Sequence, residues 1–117
     1  MIGSTRQLQA WACAEPVDMR LSYDSLMALV QQTLGRDVLG GDLFLFVGRS
    51  RRLAKVMYWD GTGLCILSKR LEQGRFNAPW LTPGARNWQL TTTELALFLE
   101  GSQVVGFVPV SPPPLRR

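Results

Sequence analysis

A chain of 117 residues and 13.1 kDa can bury one modest core, and 46% hydrophobic against 19% charged residues excludes a disordered or fibrous protein. The net charge of +4 is local: residues 49–75 carry seven basic side chains against Asp60 and Glu72, and 11 of the 13 basic residues of the chain are Arg. Histidine is absent, which removes Ser–His and Cys–His nucleophile pairs and the commonest zinc ligand.

In chain order, QLQAWACA at 7–14 is short and apolar and reads as an edge strand ending before Pro16. DMRLSYDSLMALVQQTLGRD follows as a helix: Ser22 can cap it, Leu26, Leu29, Val30, Thr33 and Leu34 share one face, and Gly35 stops it. The other face (Asp24, Ser25, Ala28, Gln31, Gln32) has no positive charge, so the helix is expected to pack on the core and not to enter a DNA groove. After a turn at 36–43, LFLFVG at 43–48 is continuously apolar, as in a central strand covered on both faces.

LAKVMYWD at 53–60 and GLCILSKRL at 63–71 are rich in β-formers and joined by Asp60-Gly61-Thr62-Gly63, a strong hairpin signal. Glu72-Gln73-Gly74 then turns into a short strand around 75–77, and 78–88, with two prolines, reads as loop. Thr91-Thr92-Thr93-Glu94 is a capping box opening a second helix, with Leu95, Phe98 and Leu99 inward and Gly101 at its end. SQVVGFVPV is a further strand candidate and SPPPLRR an extended tail. The expected fold is α+β: a small, mainly antiparallel sheet with a meander over 43–77, covered on one face by helices at about 22–34 and 92–100. Residues 1–110 would form one domain and 111–117 a flexible tail.

No apolar run approaches the roughly 18 residues of a membrane span, and no secretory signal opens the chain, which points to the cytoplasm and to no membrane partner. Cys13 and Cys65 form no CxxC motif and are expected as buried free thiols within strands. With no histidine and two distant cysteines, neither a zinc site nor another cofactor is expected. DGTG links strands instead of opening a helix, so it is no phosphate loop. The acids read as turn, cap or helix-surface residues, and no catalytic or metal-binding set stands out among them.

Hairpin geometry sharpens the basic cluster. A tight turn at 60–63 pairs Trp59 with Leu64, Met57 with Ile66, Lys55 with Ser68 and Leu53 with Arg70. Arg49, Arg51, Arg52, Lys55, Lys69, Arg70 and Arg75 then collect at the end opposite the turn. That tip suits nucleic-acid phosphates; a solvated loop that keeps strand edges apart is the other reading. Arg51 and Arg52 are expected in an exposed loop, where replacing both would leave the fold intact.

Asp18-Met19-Arg20 before an amphipathic helix, LFLFVGRSRRLAKVMYWDGTGLCILSKRLEQGRF, and a Leu-Thr helix ending LEG resemble the small accessory protein of insertion sequence 66-type transposons. That protein is the product of the second open reading frame, often labelled TnpB and unrelated to the RNA-guided nuclease of the same label. The resemblance covers about 7–102 and rests most on the WDG, KRLE and GRF blocks. Arg49, Lys55, Trp59, Asp60, Gly61, Lys69, Arg70, Arg75 and Phe76 stand where the family has the same residue types, and Asp18, Arg20 and Gly74 complete its structural motif. Leu21-Ser22 replaces the usual Lys-Gly, Ser68 an aromatic residue, and the VVGFVPVSPPPLRR tail is uncharacteristic.

The resemblance implies a bacterial, non-catalytic partner of a separate transposase of the same element. The basic tip adds the expectation of duplex DNA as a weak, non-specific ligand. The alternative is an interaction module that binds the transposase or another accessory subunit without touching DNA. Trp80, Trp88 and the VVGFVPV segment would be its candidate surface.

Overall fold

Among the described residues five strands order themselves around the apolar run at 43–47. The computed structural model describes residues 7–101. They form β1 (Gln9–Ala12), α1 (Tyr23–Leu29), β2 (Leu43–Val47), β3 (Leu53–Trp59), β4 (Leu64–Arg70), β5 (Trp88–Thr91) and α2 (Thr92–Leu99). The sheet order is β4-β3-β2-β1-β5, with β1 parallel to β2 and every other neighbour antiparallel. The α+β class expected from the sequence is the one observed.

β2 is covered on both faces because its alternate residues enter two separate cores. Phe44 and Phe46 join Leu26 of α1 and Val30 just after it, whereas Leu45 and Val47 join Leu95 and Phe98 of α2. The helices therefore lie on opposite faces of the sheet, not together on one. With four successive fully or almost fully buried residues (Phe44–Val47), β2 leaves two apolar surfaces, and each needs its own cover.

Two assignments shift by a strand. β1 is not an edge, because Trp88–Thr91 pairs with it on the side away from β2. The prolines and glycine at 79–84 disguise the short WQLT strand that follows them. Residues 75–77, expected as a strand, are irregular, and Phe76 there plugs the α2-side core.

The helix at 23–34 also departs from its pattern. Ser22 occupies the cap position, but its side chain makes no capping bond; its carbonyl accepts from Leu26 N–H at 2.8 Å. The last turn, Val30–Leu34, is π-helical and closes on Gly35 at φ 63°. Its wider winding breaks the 3.6-residue phase, so Thr33, expected inward, is exposed. α2 begins with the expected capping box: Thr91 Oγ1 accepts from Glu94 N–H at 3.0 Å, and Glu94 Oε1 accepts from Thr91 N–H at 2.8 Å.

Asp42 is buried, unlike the surface role its sequence suggests. Its carboxylate accepts from Gln9 N–H at 3.2 Å and from the Trp11 indole at 3.1 Å, tying the start of β1 to β2. Arg36 stacks on the same indole at 3.6 Å from the ring centroid. Cys13 is buried just beyond β1, while Cys65 is only half buried in β4, so one of the two expected buried thiols is not. The segment at 102–110 and the tail at 111–117 lie outside the described residues. No described helix is long and apolar enough to cross a membrane.

Candidate nucleic-acid interface

The β3–β4 hairpin has the register derived from its turn: Trp59 opposes Leu64, Met57 Ile66, Lys55 Ser68 and Leu53 Arg70. Asp60 sets that turn. Its Oδ1 accepts from Thr62 N–H at 2.8 Å and Gly63 N–H at 2.9 Å, while Gly61 adopts φ 105°, which a side chain would disfavour. The Cys65 thiol donates to Asp60 Oδ2 at 3.4 Å. Trp59, Leu64 and Ile66 pack on the α1-side core from partly exposed positions.

The two backbone N–H donors hold the Asp60 carboxyl down from 3.8 to about 2, and bonding by the Arg20 side chain does the same for Asp18. Both folded values lie below the unfolded ones, so the stabilisation is complete above about pH 4 and is lost as pH falls toward about 2. Thermal midpoints should therefore drop over that window, and Asp60→Asn should flatten the drop. An Asp60→Asn acid limb identical to that of the parent would contradict this.

At the other end, residues 48–52 turn tightly, with Arg51 N–H donating to Gly48 O at 2.9 Å. Three arginines clasp this turn to the segment after β4. Arg51 Nη1 donates to Phe76 O at 3.1 Å, Arg52 Nη2 to Glu72 O at 3.0 Å, and Arg75 Nε to Ser50 O at 3.2 Å. Arg51 and Arg52 are half buried, which corrects the expectation that both sit in an exposed, dispensable loop. Their acceptors are backbone carbonyls far away in sequence, which local pattern cannot show.

Arg51 is the one non-glycine among the described residues at positive φ, 63°. Its guanidinium bond offsets a conformation that costs a side chain about 1 kcal/mol. Arg51→Ala loses the bond and keeps the strain, whereas Arg51→Gly loses only the bond. The Gly variant should be the more stable of the two by about 1 kcal/mol in urea titration.

A bond to a carbonyl fixes a guanidinium without neutralising it. Arg51, Arg52 and Arg75 thus keep their charge, and Arg49 has no partner among the described residues. Arg70 meets Glu72 at 3.6 Å, but both side chains are largely exposed, so that pair is weak. Lys55 Nζ donates to Leu21 O at 2.8 Å, anchoring the entry of α1. Strand alternation places Lys55 and Arg70 on the α1 side of the sheet and Lys69 on the α2 side.

The Asp18-Met19-Arg20 segment also reaches this end, because Val17 N–H donates to Val47 O at 3.0 Å. Met19 packs so closely that a Cβ on Gly48 would lie 2.7 Å from its Cγ. Asp18 and Arg49 line one open cleft of about 420 Å³. Arg20 is held by Asp18 through bonds of 3.0 and 2.8 Å, which neutralise it. Sequence reading missed this neighbourhood, since only the parallel β1–β2 pairing creates it. Gly74, at φ 75°, turns the chain toward Phe76.

Trp80 and Trp88 do not form an exposed patch: both are partly buried against the α2-side core, and Trp88 meets the Phe98 ring edge-on at 6.2 Å. Among the described residues no three His, Cys, Asp or Glu side chains group as metal ligands would.

The family model described as IS66 Orf2 like protein matches residues 8–107. Two uncharacterized proteins of Sinorhizobium fredii (strain NBRC 101917 / NGR234) are similar. Protein y4hO is 38% identical over 101 residues, covering 86% of each chain. Protein y4jC is 35% identical over 101 residues, covering 86% of this chain and 85% of its own. No solved structure matches. With a family match across most of its length and two relatives aligned over 86% of it, this chain belongs to the IS66 Orf2-like family of transposition accessory proteins.

Proposed function

We propose that the protein is a non-catalytic accessory of its element's transposition that holds duplex DNA by its phosphates beside the transposase. Arg49, Arg52, Arg70 and Arg75 make the contacts. The observation that carries this reading is the set of carbonyl-tethered arginines at the tip: they are fixed in place yet still charged. Pre-set guanidinium groups lose little freedom on meeting a phosphate, and their planar fork matches its oxygens. Arg51 and Lys55 act behind them by shaping the turn and seating α1.

The non-catalytic reading is supported by the local engagement of the acids. Asp18 holds Arg20, Asp37 caps Leu39 N–H, Asp60 forms the hairpin turn, and Glu94 closes the capping box. A pull-down with the element's transposase, with and without duplex DNA from the element's ends, tests the proposal. DNA should raise recovery of the transposase, and Arg49/Arg70→Ala should reduce that increase. Recovery indifferent to both DNA and these arginines would instead support an interaction module.

A further inference from the structure

Among the described residues β4 is the longer of the two sheet edges, and its hydrogen-bond phase can be read from its ends. Asp60 N–H donates to Gly63 O at 3.1 Å, and Leu71 N–H donates to Arg52 O at 2.8 Å. Bonded and non-bonded pairs alternate in an antiparallel ladder, so Cys65, Leu67 and Lys69 bond inward to β3. The backbone groups of Leu64, Ile66, Ser68 and Arg70 then point outward. Among the described residues no hydrogen bond reaches them.

We propose that this edge pairs antiparallel with β4 of a second copy of the chain, joining two five-stranded sheets across a two-fold axis at Leu67. The inference is independent of the DNA reading. Centring on Leu67 sets Leu64 opposite Arg70 and Ile66 opposite Ser68, so every outward residue of both strands finds a bonding partner. A register shifted by two residues leaves some of them unmatched, and a shift by one puts them out of phase.

Two side-chain facts select this occupant. Leu67 is 51% exposed in the middle of an edge that no described strand pairs with, a position where soluble proteins place charge. In the proposed register it faces Leu67 of the second copy in a non-bonded pair, where side chains approach most closely. Lys69, without a partner among the described residues, falls opposite Cys65 of the second copy. That thiol touches the Asp60 carboxylate, so each lysine meets an acid of the other copy. The lysine that would otherwise block edge pairing thus becomes complementary to a copy of itself turned through two-fold symmetry.

Size-exclusion chromatography with light scattering on the full chain tests this. The mass should be twice 13.1 kDa. Leu67→Arg sets two cations face to face and should give a monomer with unchanged circular dichroism, because the site is half exposed, and with a melting temperature that no longer rises with protein concentration. Lys69→Glu should weaken the dimer by about tenfold while leaving the monomer folded. Hydrogen exchange at Ile66 and Ser68 should be slow in the parent and fast in Leu67→Arg. A monomeric parent with fast edge amides would overturn the proposal. So would a monomer with slow ones, which would mean that the chain covers its own edge, or a dimer indifferent to Leu67→Arg.

Discussion

Phe76→Ala is expected to remove about 3–5 kcal/mol of folding stability, a large share of the roughly 5–15 kcal/mol that holds a small domain together. Phe76 is fully buried although no regular element carries it, and its ring stacks on Phe98 at 5.2 Å with the planes 7° apart. Its N–H donates to Arg51 O at 2.7 Å and its carbonyl accepts from the Arg51 guanidinium. The variant therefore opens a cavity beneath α2 and loosens the clasp that fixes the arginine tip. Trp59→Ala should cost less, because Trp59 keeps part of its surface in solvent. Urea titrations of the two variants should rank them in that order. A Phe76→Ala loss below about 1 kcal/mol would show that the segment after β4 is not part of the cooperative core.

What could be read from the sequence was whatever depends on near neighbours. The hairpin register followed from Asp60-Gly61 and strict alternation on either side, and the start of α2 from Thr91 and Glu94. The two-faced burial of β2 followed from an apolar run without alternation. Most of the misses depend on distant partners. Trp88–Thr91 becomes a strand because β1 offers an edge some 80 residues earlier. Thr33, by contrast, turns outward because Val30–Leu34, directly after α1, winds as a π-turn, which no residue preference announces. At the tip, the sequence marked which side chains are basic but not which are anchored. Arg51 and Arg52 look like solvated loop residues until Phe76 O and Glu72 O come within reach. The structure thus changes which substitutions can report on DNA without disturbing the fold. Arg49, with no partner among the described residues, and Arg70, with only a weak surface pair, are the suitable ones.

Arg49/Arg70→Ala should weaken duplex DNA binding while leaving the melting temperature where it was. Each phosphate neutralised contributes about −0.9 to the slope of log affinity against log salt. With Arg49, Arg52, Arg70 and Arg75 engaged, the parent slope should be roughly −3.6, and the double variant should fall to roughly −1.8. Between 50 and 200 mM salt, that separates an affinity loss of about 150-fold from one of about 12-fold. Arg51/Arg52→Ala should show up first as lost stability, so a change in its slope would not isolate a contact. The most direct measurement is a salt titration of duplex binding by the parent and Arg49/Arg70→Ala proteins, followed by fluorescence anisotropy. The account predicts a slope smaller in magnitude by about 1.8 in the variant at equal thermal stability. Equal slopes and affinities for the two proteins would contradict it and leave the tip without a role in holding DNA.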